Sequence, residues 1–161
     1  MDPVILGVIS DTHIYRQPLP AEVLRSLEGV DMILHAGDVV EIAVLEELER
    51  LAHTVAVAGN MDHAEVKREL PAKTVLEAGG YRLGLVHGSG GAPQITRRLR
   101  REFEQVDILV FGHTHQACNH EEEGVYSLNP GSPTDKMFAP FRSVGILEID
   151  EKVRGRIIML E

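Results

Sequence analysis

Five short apolar runs in this chain each end on a residue able to bind a metal ion, beside a glycine or a serine. Val4 to Ile9 leads into Ser10-Asp11-Thr12-His13, and Met32 to Leu34 leads into His35-Ala36-Gly37-Asp38. Thr54 to Ala58 leads into Gly59-Asn60-Met61-Asp62, Arg82 to Val86 into His87-Gly88, and Ile108 to Phe111 into Gly112-His113-Thr114-His115. Runs this short and this rich in Val, Ile and Leu read as buried strands. Ligand crevices in open α/β sheets form at the carboxyl ends of strands, so one edge of one fold can collect all five.

The rest of the chain supplies the elements that such a fold needs. Thr74 to Leu76, Val125 to Leu128, Val144 to Ile149 and Arg156 to Leu160 read as further strands. Helical spacing links Ala21, Val23, Leu24 and Leu27, then Ile42, Val44, Leu45, Leu48 and Leu51, and extends over a basic segment from Pro93 to Phe103. The first half is βαβαβ. The second half is mostly strands joined at turns such as Gly79-Gly80 and Asn129-Pro130-Gly131. With 161 residues, the expectation is one domain, 1–161, of α/β (α+β) class: a two-sheet β sandwich flanked by helices.

Charge narrows the partners. Sixteen Lys and Arg stand against 25 Asp and Glu, a formal net charge of -9, which excludes a broad nucleic-acid-binding surface. One cysteine, Cys118, cannot form a disulfide framework, and no apolar run reaches the roughly 18 residues of a membrane span. A cytoplasmic protein without a membrane segment is expected. Eight histidines are the unusual resource, since imidazole near neutral pH serves as metal ligand or acid/base group.

Taken singly, most of these residues have ordinary readings. Asp11, Asp38 or Asn60 after a strand can be a turn former, and a lone His87 can be a satisfied buried imidazole. His35 reads as a structural or supporting residue, and His53, His63 and His120 as surface residues. Arg97, Arg98, Arg100 and Arg101 read as a solvated basic helix face. The pairs Asp11-x-His13 and His113-x-His115 are harder to explain without an ion. On an extended segment an i, i+2 pair lies on one face about 6 to 7 Å apart, a span that suits one ion or two ions about 3.5 to 4 Å apart.

The ordered set Asp11-x-His13, Gly37-Asp38, Gly59-Asn60, His87 and Gly112-His113-x-His115 resembles the signature of the calcineurin-like metallophosphoesterases. The length and the Asn129-Pro130-Gly131-Ser132 turn resemble its small YfcE-like phosphodiesterase branch. The resemblance implies a four-layer fold and two divalent ions, Mn²⁺ first, with Fe, Zn or Ni as alternatives. It implies one ion held by Asp11, His13, Asp38 and His115 and the other by Asp38, Asn60, His87 and His113, with Asp38 bridging. Asp38, Asn60 and His113 then border the reaction, which is hydrolysis of a small or nucleotide-like phosphodiester by a hydroxide between the ions. Asn60, Ser132 and Arg142 are expected as substrate contacts, and a homo-oligomer is an allowed partner state.

One position departs from the pattern. Most of the superfamily carries His after Gly-Asn, whereas here Met61 follows Asn60, and a thioether cannot donate a proton to a leaving group. General acid assistance is worth about 10²–10⁴-fold, so diesters whose leaving group departs without a proton are the expected substrates. His63 is the alternative donor. The competing readings are a protein-binding scaffold of the same fold, as in the retromer subunit, and a phosphomonoesterase.

Overall fold

The computed structural model describes residues 2–160, so the two terminal residues of the expected domain lie outside the described residues. The elements in order are β1 (Val4–Ile9), α1 (Ala21–Ser26), β2 (Met32–His35), α2 (Ile42–Glu49), β3 (Thr54–Ala56), α3 (Ala64–Glu69), β4 (Lys73–Ala78) and β5 (Tyr81–Val86). They continue with α4 (Ile95–Arg100), β6 (Ile108–Val110), β7 (Cys118–Glu122), β8 (Val125–Asn129), β9 (Arg142–Ile149) and β10 (Val153–Leu160). Two five-stranded sheets result, in the orders β10-β9-β1-β2-β3 and β4-β5-β6-β8-β7.

Each sheet combines three parallel strands with two antiparallel ones, which flank the trio in the second sheet and lie on one side of it in the first. β1, β2 and β3 are parallel, as are β5, β6 and β8, while β9, β10, β4 and β7 pair antiparallel. Central strands buried on both faces need apolar residues at every position, which is why β1 and β6 read as unbroken runs. Their side chains go two ways. Leu6 and Val8 of β1 join Leu34, Leu83, Leu85, Val110 and Leu128 between the sheets. Ile9 faces outward with Ile33 and Ile146 and is covered by Val23 and Leu27 from the α1 region and by Val44 and Leu48 of α2. On the far side, Leu109 and Phe111 pack beneath Ile95 and Leu99 of α4. The order helix, sheet, sheet, helix is the sandwich that the sequence predicts.

Two elements were not legible as such. β7 is Cys-Asn-His-Glu-Glu, an edge strand that buries too little to show alternation. α3 buries only Val66, too little for a helical stripe. Among the described residues no helix is long and apolar enough to cross a membrane.

Candidate metal centre

Because β1, β2 and β3 run parallel, as do β5 and β6, the segments leaving their carboxyl ends meet at one edge. The expected strand geometry of the two i, i+2 pairs is corrected here. β1 ends at Ile9 and β6 at Val110, before the ligands begin, and the backbone at Asp11, His13, Asp38, His113 and His115 is left-handed, with φ of 56, 45, 58, 73 and 60°. Asp and His tolerate this region better than most side chains, but each such residue still costs of order 1–3 kcal/mol. Cross-loop bonds hold the turns: Asp11 N–H to Gly37 O at 2.9 Å, His13 N–H to Asp38 O at 3.2 Å and Gly112 N–H to His87 O at 3.0 Å.

Asp11 lies at the centre of the cluster and is fully buried. Its Oδ2 accepts from Ser10 Oγ at 2.7 Å and from His113 N–H at 3.0 Å. Its Oδ1 is buried and has no hydrogen-bond partner. Around that oxygen stand His115 Nε2 at 3.3 Å and His13 and His87 Nε2, each at 3.7 Å. Asp38 is held similarly: Oδ1 accepts from Met61 N–H at 2.8 Å, while Oδ2 lies 3.4 Å from His13 Nε2 and 3.2 Å from His87 Nε2. Two glycines make the approach possible. A Cβ at Gly112 would overlap Ser10 Oγ and lie 2.6 Å from Asp11 Oδ2, and one at Gly59 would overlap Asp38 Oδ1.

The imidazoles are oriented from behind. His87 Nδ1 lies 2.7 Å from Ala36 O; a carbonyl only accepts, so Nδ1 carries the proton and Nε2 faces Asp38 and Asn60 Oδ1, the latter at 3.0 Å. His115 Nδ1 lies 2.7 Å from Asp135 Oδ2 and Nε2 again points inward. Such outer partners fix the tautomer of a metal-binding histidine. Burial opposes ionisation of Asp11 and Asp38, but the imidazoles standing around them, His115, His13 and His87 at Asp11 and His87 at Asp38, pull both below the usual carboxylate range. In return, Asp11 above all pushes His115 up to about 9, against burial and with help from Asp135. His87 is also raised: burial is the largest single effect and lowers it, but the Asp38 contact, the charges of Asp11 and Asp38 and the Ala36 carbonyl together outweigh it. Without a cation the His115 ring holds a second proton near neutral pH, which a metal would replace.

The remaining expected residues fall into place differently. Asn60 joins the cluster through His87. His113 meets it through its backbone N–H and by its ring, edge-on to His87 with centroids 5.4 Å apart. His35 is a support, as expected: Gly37 N–H donates to Nδ1 at 3.1 Å and Nε2 faces Thr12 Oγ1 at 3.2 Å, while burial drives it down to about 3, so it stays neutral. Ser132 is buried and donates to Asp11 O at 2.8 Å, and Arg142 pairs with Glu22 at 3.0 Å. Both side chains thus bind protein groups in this fold, Ser132 the Asp11 backbone and Arg142 the Glu22 carboxylate. His63 lies instead against Tyr15, ring centroids 5.6 Å apart.

Two further carboxylates, Asp62 and Asp135, support the site. Asp62 accepts from Gly59, Asp38 and Val40 N–H at 2.7, 3.2 and 2.5 Å, tying the Asp38 turn to the Asn60 turn. Asp135 holds His115. Asp62 adjoins the Gly-Asn motif and could have been found, but Asp135 lies 20 residues from His115 with no spacing signal.

A buried carboxylate oxygen without a donor, surrounded by three imidazole nitrogens, two of them on rings (His87 and His115) whose other nitrogen is already engaged, fits a cation. Two groups of ligand atoms lie mutually within 4.8 Å: Asp11, His13 and His115, and Asp11, Asp38 and His87. Imidazole and carboxylate without thiolate suit divalent first-row metals.

Comparison with known proteins agrees with this geometry. The calcineurin-like phosphoesterase superfamily domain matches residues 4–152. The probable metallophosphoesterase MJ0623 of Methanocaldococcus jannaschii is 37% identical, covering 98% of this chain and 82% of its own length. A structurally characterised archaeal phosphodiesterase superposes with TM-score 0.77 at 26% identity, covering 97% of this chain and 99% of the other. The Entamoeba histolytica Vps29 complexed with Zn²⁺ superposes with TM-score 0.72 at 26% identity, covering 96% and 98%. The signature residues, the four-layer fold and the match over residues 4–152 together place this chain in the calcineurin-like phosphoesterase superfamily.

Proposed function

We propose that this chain is a metal-dependent phosphodiesterase acting on small or nucleotide-like phosphodiesters at a dinuclear site. The observation that carries this reading is the buried, unpartnered Asp11 Oδ1 with three imidazole nitrogens within 3.7 Å. Asp11, His13, Asp38 and His115 would hold one ion, and Asp38, Asn60, His87 and His113 the other, with Mn²⁺ the leading candidate. Asp38 Oδ2 lies between His13 and His87, which the reading assigns to different ions. When bound, such ions lower the pKa of a water molecule and offset charge developing on the phosphoryl oxygens.

The chain's own groups prepare that chemistry. Ala36 O and Asp135 keep the ring protons on Nδ1 of His87 and His115, so each Nε2 lone pair is directed inward. Ser10 and the His113 N–H hold Asp11 Oδ2, leaving Oδ1 for the ion. Met61 is 58% exposed and offers no proton, so leaving groups stable as anions are favoured over alkoxides.

Similarity to Vps29 supports a second reading, a scaffold that binds protein. Hydrolysis of bis(4-nitrophenyl) phosphate with added Mn²⁺ separates the two. Asp38→Ala should cost more than the roughly 100-fold typical of losing an outer partner. Activity that is absent, or indifferent to Mn²⁺ and to this substitution, would sink the enzyme reading and favour the scaffold.

A further inference from the structure

The six large apolar side chains that stand exposed among the described residues are not scattered evenly. Tyr15, Met61, Met137 and Phe138 are four of them, and only Val75 and Met159 lie on strands elsewhere. Tyr15 follows His13 by two residues and Met61 follows Asn60 directly. Met137 and Phe138, the most exposed at 82% each, follow Asp135. The Asp135 carboxylate binds both ways: Oδ2 faces His115 Nδ1 at 2.7 Å, while Oδ1 accepts from the N–H groups of Met137 and Phe138 at 2.8 and 2.9 Å. One side chain thus fixes a candidate metal ligand and the turn that presents two apolar side chains to water.

Exposure of these groups forgoes the stabilisation that burying such side chains gives. The turn is nevertheless ordered by two backbone hydrogen bonds to a single carboxylate. The cavity at Asn60 and His87 holds about 210 Å³, below the roughly 300–1,000 Å³ of ordinary ligand sites. A cavity of that size leaves the organic part of a larger substrate to surface side chains around the ligands. Tyr15 is already held, with His63 edge-on at 5.6 Å and the Arg16 guanidinium 5.0 Å above its ring.

We infer that Phe138, with Met137, determines specificity by packing against a flat aromatic ester group of the phosphodiester, a nucleobase or a simple aryl ring. This rests on the phosphodiesterase reading and names its substrate class. Stacking of a base on an aromatic side chain is worth about tenfold or more on alanine substitution. It tolerates different bases because each presents a π-face.

The test compares wild type with Phe138→Ala and Met137→Ala on three Mn²⁺-supported substrates: a dinucleotide, bis(4-nitrophenyl) phosphate and glycerophosphoethanolamine. The inference expects Phe138→Ala to lower kcat/KM for an aromatic diester relative to the glycerol diester by about tenfold, with Met137→Ala in the same direction. Loss on the dinucleotide alone identifies a nucleobase; loss on both aromatic substrates identifies any flat ring. A ratio unchanged by Phe138→Ala overturns the inference. If wild type hydrolyses none of the three, the phosphodiesterase reading fails, and calorimetric binding of AMP decides the inference separately. Weaker binding to Phe138→Ala by about tenfold supports it, and equal binding overturns it.

Discussion

At the scale of single residues, the centre depends on what stands behind each ligand. Asp135 accepts the Nδ1 proton of His115; Asn in its place could keep the bonds to Met137 and Phe138 but would lose a charged acceptor. Asp135→Asn should weaken metal affinity by about 10- to 100-fold with the fold intact, measured by calorimetry and circular dichroism. Unchanged affinity would show that His115 needs no outer partner. The metal-free protein should also respond to pH in a defined window. His115 is raised from 6.5 to about 9, so its protonated form stabilises the fold fully below about pH 6.5, and that contribution is lost as pH rises through about 9. His87 shifts in the same direction. The melting temperature of chelated protein should therefore fall from pH 6.5 to 9, and His115→Ala should flatten the decline. A level melting temperature across that window would contradict the assignment. The identities of the seven ligand candidates were legible because Asp, Asn and His recur beside Gly or Ser after apolar runs. Their left-handed backbone was not, because i, i+2 spacing is shared by strands and by turns. Asp135 was invisible for another reason: its role arises only when distant segments fold together.

At the scale of elements, the parallel strands do the gathering and the turns after them do the aiming. Gly112 is the tightest point, since a Cβ there would overlap Ser10 Oγ, which holds Asp11. Gly112→Ala should displace Asp11 and lower metal-supported hydrolysis by more than about tenfold, with most helix and sheet signal retained. Wild-type activity in that variant would mean that Asp11 tolerates displacement. The central strands could be read from sequence because burial on both faces enforces continuous Val, Ile and Leu. β7 and α3 could not. Cys118–Glu122 gains its strand state from pairing with β8, and Ala64–Glu69 is a helix with one buried side chain.

At the scale of the whole molecule, the formal charge of -9 and the proposed phosphate chemistry are compatible because the relevant field is local. Two divalent ions would exceed the charge of Asp11 and Asp38 and reverse the sign at one edge. The rest of the acidic surface would disfavour long polyanions. The fold itself does not decide between catalysis and protein binding, since an archaeal phosphodiesterase and Vps29 superpose on it about equally well. The proposed reading rests on the chemistry of the edge. Metal equivalents bound per chain, counted by titrating chelator-treated protein with Mn²⁺, test this account most directly. It predicts two equivalents for the wild type and a reduced count for Asp38→Ala, whereas binding of none, or of one equivalent unaffected by that substitution, would contradict it.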